Sequence, residues 1–247
     1  MPPIGWHVST AREVLTRLGC GDLEDEIGCY LLGSTAPDIR IMTGRPREET
    51  HFFDLQQDHE MSGISRLFEA YEHLSGLTGR PKAFVAGYVT HLAVDETWIE
   101  QVYRPYFGRG SGLGGSLEAD LMDRLLQFHM DQRERMDRDR FKAFYGYVFT
   151  ADPGEEVGFI DPPTLTRWRE VVTRILDQEP TWEAFRTFTM RRFGASGPVD
   201  SEQVRTFFES IPEALDRTLS HVTAERVEAF REDAVNRSLA AVKAYMS

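Results

Sequence analysis

GYVTHLAVDETW, from Gly87 to Trp98, reads as the middle of a buried helix, yet it sets His91 and Asp95 one turn apart on the face that should be apolar. Extended outward, Phe84, Tyr88, His91, Asp95, Trp98 and Val102 recur at alternating spacings of four and three, the pattern of a core-facing stripe. Two of those positions are ionisable. An unpaired carboxylate in a core costs several kcal/mol, so Asp95 must have a partner.

The surrounding chain supports a helical reading. Nearly every periodic segment has helical spacing and no run alternates convincingly with period two, so the fold class expected is all-α, a multi-helix bundle. Thr10 with Glu13 resembles a capping box opening a first helix, and a second helix is expected from about Leu23 to Leu32, stopping near Gly33. Between Gly33 and His59 prolines and glycines break any continuous helix. Ile64, Leu67, Phe68, Tyr71 and Leu74 mark an amphipathic helix ahead of the one that contains His91, which is expected to end at Arg104-Pro105. The glycine-rich FGRGSGLGGS, residues 107–116, matches G-x-G-x-x-G at Gly110, Gly112 and Gly115, but a dinucleotide fingerprint needs a strand before it. It reads as a linker or lid. A long helix follows with Leu117, Leu121, Leu125 and Phe128 inward, and its continuation HMDQRERMDRDR reads as a solvated face. Further helices are expected around Leu165–Leu176, Thr181–Arg192, Ser201–Leu219 and Ala224–Tyr245. The division expected is a metal-binding helical domain over 1–150 and a helical extension over 151–247 packed on it, or one single domain.

Composition narrows the partners. The 247 residues are 41% apolar and 11% aromatic, ample for a core, and the formal net charge of −12 disfavours nucleic acid and anionic membrane surfaces. A phosphate-bearing small substrate remains compatible if a cation sits in the site. Cys20 and Cys29 have neither zinc-finger nor disulfide-framework spacing and read as core thiols. MPPIGWHVST has no basic n-region or apolar h-region, and no apolar run reaches the roughly 18 residues of a membrane span, so a cytoplasmic protein is expected.

The histidines carry the chemistry. His7 precedes the first expected helix, Asp38 sits in APDIR, His51 sits in ETHFF, and His91 and Asp95 share a helix face. Imidazole and carboxylate suit zinc and other borderline divalent ions, and an i,i+4 pair can present both to one ion. The same pair can equally be an intrahelical contact, and a lone core histidine is commonly a hydrogen-bonded structural residue. Spacing alone does not join His7, Asp38 and His51 to one point. His59 and His73 have polar neighbours and read as surface residues, while His129 is either a buried hydrogen-bonded residue or an extra ligand. Arg40, Arg45 and Arg47 lie between two candidate ligands, where they could clamp a phosphate or stand in solvent as loop charges.

GSTAPDIR, then ETHFF, then GYVTHLAVDETW resemble the zinc-dependent phospholipase C family, distantly related to single-strand-specific zinc nucleases. The resemblance covers roughly residues 5–100 and lies in the order and context of five ligands. It implies an all-helical fold in which Asp38, His51, His91 and Asp95 hold one zinc, while Asp95 bridges to a second zinc held by His7. It further implies two-metal hydrolysis of a small phosphoester or phospholipid-like substrate, with Asp38 orienting or deprotonating the attacking water. The chain also departs from the family. Trp6 is internal rather than a free N-terminal amine, and Arg133, not glutamate, stands four residues after His129, so a third zinc is not implied.

The reading that follows is a metal-dependent phosphoester hydrolase with two zinc ions. The alternative is a noncatalytic helical protein with a structural metal and a partner-binding C-terminal half. A haem bound through His91 would leave Asp95 unexplained.

Overall fold

The structure, a computed structural model, describes residues 3–53, 62–154, 157–194 and 201–247. Among them there is no strand, and the α-helices follow in order as α1 (Ile4–Leu18), α2 (Gly21–Asp25), α3 (Ile27–Gly33), α4 (Arg40–Thr43), α5 (Glu48–His51), α6 (Gly63–Ala70) and α7 (Gly79–Trp98). After them come α8 (Leu117–Glu134), α9 (Arg138–Phe149), α10 (Pro162–Asp177), α11 (Trp182–Gly194), α12 (Ser201–Glu209), α13 (Ile211–His221) and α14 (Ala224–Met246). The chain is an all-α multi-helix bundle. None of its described helices is long and apolar enough to cross a membrane.

α7 is the central helix. It is buried from Ala83 to Trp98 with one half-buried break at Glu96, because α3 and α14 both pack along it. A helix covered on all sides has no solvent face to keep polar, so its apolar residues are not confined to one side. Two glycines permit the α3 contact: a Cβ on Gly87 would lie 2.0 Å from the Tyr30 carbonyl oxygen, and one on Gly33 would lie 1.9 Å from that of Phe84. The helix backbones therefore touch without intervening side chains.

Two hydrophobic clusters organise the rest. One gathers α1, α3, α7, α9 and α10 around Leu15, Tyr30, Phe84 and Trp168; the other gathers Trp6, Trp98, Leu125 and Phe207;. α14 contributes to both, with Val235 and Val242 in the first and Phe230 in the second. The Phe230 ring stacks on Trp6 at 5.1 Å and meets Trp98 edge-on at 5.0 Å.

Several boundaries differ from the sequence reading, each for a local reason. α1 begins at Ile4 rather than after Thr10, because Ile4, Trp6 and Val8 are buried and carry the apolar pattern upstream; Thr10 lies buried inside the helix. The helix expected over Leu23–Leu32 is split at Glu26, whose backbone (φ −111°, ψ 29°) leaves the helical region. Likewise Ser210 divides Ser201–Leu219 into α12 and α13, with Pro212 in the first turn of α13. The chain does not stop at Arg104-Pro105 but continues as a π-helical segment, Ile99–Phe107, closed by a 2.7 Å bond from the Gly108 amide to the Tyr103 carbonyl. The wider turn accommodates Pro105 inside it. The glycine-rich stretch after it forms turns, with Gly114 and Gly115 at positive φ.

The HMDQRERMDRDR segment is not wholly solvated. Asp131 and Arg135 are buried, because α8 packs on the start of α1, where a Cβ on Gly5 would lie 2.4 Å from Asp131 Oδ1. The Arg135 guanidinium donates to the carbonyls of Ile175 and Gln178, placing a cation on the C-terminus of α10. Cys29 is buried and Cys20 half-buried, and both are free thiols. Burial pushes Cys29 up to about 11.

Candidate metal centre

The centre is assembled from α7 and three segments around it. His7 comes from the second turn of α1, and Asp38 from a 3₁₀ turn, Ala36–Ile39, that follows α3. His51 is the last residue of α5, which Phe52 terminates at φ 60°. His91 and Asp95 share one face of α7.

Those five side chains meet. Asp95 Oδ1 lies 3.4 Å from His7 Nε2, and Asp95 Oδ2 lies 3.2 Å from His51 Nε2 and 3.5 Å from His91 Nε2. His51 Nε2 is 3.8 Å from Asp38 Oδ1 and 3.4 Å from His91 Nε2. The rings of His7 and His91 stack at 3.8 Å, only 10° from parallel. All five residues are buried.

Neighbouring groups aim the rings. His91 Nδ1 lies 2.8 Å from the Ser34 carbonyl oxygen, an acceptor only, so Nδ1 carries the proton and Nε2 faces the cluster as a lone pair when the ring is neutral. The glycine contact between α3 and α7 is what brings Ser34 that close. At the second histidine, Thr50 Oγ1 shares a 2.9 Å hydrogen bond with His51 Nδ1 and lies 3.4 Å from the Arg47 carbonyl oxygen. Tyr88 Oη clamps the same turn by donating to the Thr50 carbonyl. This is the outer support that orients imidazole ligands in metal sites.

The electrostatics suit a cation. Burial alone would raise Asp95, but His91, His51 and His7 hold its carboxyl well below the usual range. Burial pushes His7 down, reinforced by His91, and pushes His51 well down, reinforced by Arg47. Burial opposes the charged form of His91 too, yet the Asp95 carboxylate outweighs it and raises that histidine. An ionised carboxylate beside the neutral imidazoles of His7 and His51 is the ligand state that metal binding requires, while His91, held toward its charged form, must release a proton to join them. Among the described residues, moreover, both ring nitrogens of His7, Asp38 Oδ1 and Asp95 Oδ1 are buried without a hydrogen-bond partner. Native interiors leave few such atoms, and here His7, Asp38 and Asp95 each bring at least one to the same cluster. Among the described residues two groupings could hold an ion: His7, Asp38 and His91, and His51, His91 and Asp95.

The three arginines part company. Arg47 is buried at 7% exposure, with Nη2 3.0 Å from Asp95 Oδ2 and its guanidinium 4.9 Å from the Phe53 ring centre. Arg40 is half-buried, while Arg45 turns to the Phe159 carbonyl at 3.5 Å. Arg47 is thus no loop charge, because α5 folds it inward against Asp95. His129 is half-buried on α8 and joins neither ion-holding grouping, and burial lowers it. His73 is exposed, and His221 lies 2.8 Å from the Tyr106 carbonyl oxygen. His59 lies outside the described residues.

A cavity of about 590 Å³ adjoins the cluster. Asp38, Arg40 and Arg47 form one wall, Asp120, Asp123 and Gln127 of α8 another, and Phe185 and Phe188 of α11 contribute apolar surface. Sequence reasoning missed the α8 wall. Its signal was the spacing of Asp120, Asp123, Gln127 and Asp131 at intervals of three, four and four, a polar stripe on one helix face.

Comparison of the chain with protein-family models, with curated proteins and with solved structures finds no match.

Proposed function

We propose that this protein is a metal-dependent hydrolase of a phosphoester, of the kind its resemblance to zinc-dependent phospholipase C implies. The observation that carries the reading is the convergence of His7, Asp38, His51, His91 and Asp95, with unpartnered buried ligand atoms, beside a cavity on whose wall Asp38 stands. Imidazole and carboxylate donors fit zinc. A bound divalent ion supplies Lewis acidity and acidifies water.

The chain's own residues divide the remaining work. Asp38 stands on the cavity wall, where the carboxylate oxygen not engaged by an ion can accept the proton of an attacking water. Arg40 and Arg47 offer N–H donors to phosphoryl oxygens. Phe185 and Phe188 give an organic leaving group or acyl portion an apolar surface.

Metal content of protein purified without chelator tests the first half of this reading, and absence of metal even after reconstitution would overturn it. A panel of nitrophenyl phosphomonoesters, phosphodiesters and phosphocholine esters tests the second. Asp38→Asn is expected to keep its metal and lose about 10²–10⁴-fold in turnover. The complete burial of His51, His91 and Asp95 favours one other reading, a structural ion in a noncatalytic protein. Metal without turnover of any ester would select it.

A further inference from the structure

The two ion-holding groupings share His91. Its Nδ1 is committed to the Ser34 carbonyl, so both groupings depend on the same Nε2 lone pair, and one lone pair serves one ion. Asp95 is restricted in a parallel way. Its Oδ2 already accepts from Arg47 Nη2 at 3.0 Å, which uses one of its lone pairs and sets a cation beside the carboxylate that a second ion would have to share, while Oδ1 has no hydrogen-bond partner among the described residues.

Arg47 has capacity left over. Its Nε and Nη1 are buried without partners among the described residues, although the residue lines the cavity beside Asp38. A guanidinium does not discharge by losing its proton at any ordinary pH, so this is a permanent cation with one donor engaged and others unused. Phe53 beneath the guanidinium fixes its plane. The geometry points to a centre that takes a single divalent ion, with Arg47 as its second, built-in cation, whose remaining N–H groups hold an oxyanion, the phosphoryl group of the substrate. The proposal rests on the metal-hydrolase reading for its ion and on Arg47 alone for its anion. One divalent ion and one guanidinium against Asp38 and Asp95 leave a net positive charge, which attracts a phosphate. A second divalent ion would stand beside an immovable guanidinium and be repelled by it.

The experiment uses the full chain in two measurements. Equilibrium dialysis against excess zinc, followed by metal analysis, is expected to saturate at about one zinc per chain, and tight saturation at two would overturn the proposal. Calorimetric titration with inorganic phosphate is then run on zinc-free and zinc-loaded protein. Arg47→Ala is expected to lose at least about tenfold in phosphate affinity in both states, following the usual worth of a charge-assisted bond. Because that variant leaves Asp95 without its guanidinium and could unfold, Arg47→Lys is measured beside it. Lysine keeps the charge but loses the planar fork, so a several-fold loss is expected, and wild-type phosphate affinity in a folded Arg47→Lys protein would overturn the oxyanion role. The two levels fail separately. A wild type that binds no zinc sinks the hydrolase reading, whereas phosphate binding by zinc-free protein that ignores Arg47 sinks this one.

Discussion

Two carboxylates on the wall of the same cavity, Asp123 and Asp38, are built on opposite terms. On α8, Asp123 accepts from Trp98 Nε1 at 3.1 Å and from Gln127 Nε2 at 2.7 Å, so that its two oxygens are both satisfied by the protein. Across from it, Asp38 Oδ1, Asp95 Oδ1 and both His7 nitrogens are left without hydrogen bonds among the described residues. Burial is nearly equal in the two places. What separates Asp123 from the candidate ligands Asp38 and Asp95 is therefore not how deeply it lies but whether both its oxygens are already used.

The sharpest way to break this comparison is Asp95→Ala. It should abolish zinc binding and leave the Arg47 guanidinium buried without its carboxylate, lowering stability by about 3–5 kcal/mol in denaturant unfolding. Asp123→Asn, on the satisfied side, should keep wild-type zinc content. If the two variants lost zinc alike, the distinction would fail.

The pH dependence of α8 comes next in size. Burial pushes Asp131 up to about 6, against the opposing pull of Arg135. A carboxyl raised on folding contributes stability that is full below its unfolded value and lost as pH climbs through the folded one. Between about pH 4 and pH 7 this costs on the order of 3 kcal/mol. Asp131→Asn should flatten that slope in urea melts at a series of pH values, and an unchanged slope would show that another group is responsible.

Gly87→Ala probes the scaffold behind the unsatisfied side. Its methyl would meet the Tyr30 carbonyl, forcing α3 away from α7 at a cost of about 1–3 kcal/mol. The same shift moves Ser34 from His91, so zinc affinity should fall about 10–100-fold, as read by competition with a chromophoric chelator. The smallest effect belongs to Ser116, whose hydroxyl accepts from the Ala119 amide at the start of α8. Ser116→Ala should lower stability by about 1 kcal/mol and leave zinc affinity alone.

Much of this was legible in the chain itself. The stripe through Phe84, His91 and Trp98 announced a buried helix, and the order of His7, Asp38, His51, His91 and Asp95 named the side chains that the fold draws together. Other features were hidden for physical reasons. Arg47 and Arg135 sit in charged surroundings that read as solvated, and only the packing of α5 and α8 reveals which guanidinium finds a buried acceptor. Pro212, two residues after Ser210, is a local signal that the reading of one continuous helix over Ser201–Leu219 passed over, whereas Glu26 carries no strong break signal, so that division reflects tertiary demand. The π-helical run through Pro105 is similarly a response to context.

The position of α14 has a consequence for biosynthesis. This helix lies along α7 and anchors Trp6 and Trp98 through Phe230, backing the two helices that carry His7, His91 and Asp95. It is also translated after every ligand has left the ribosome. A nascent chain therefore presents its candidate ligands before α14, which backs α1 and α7, has been made.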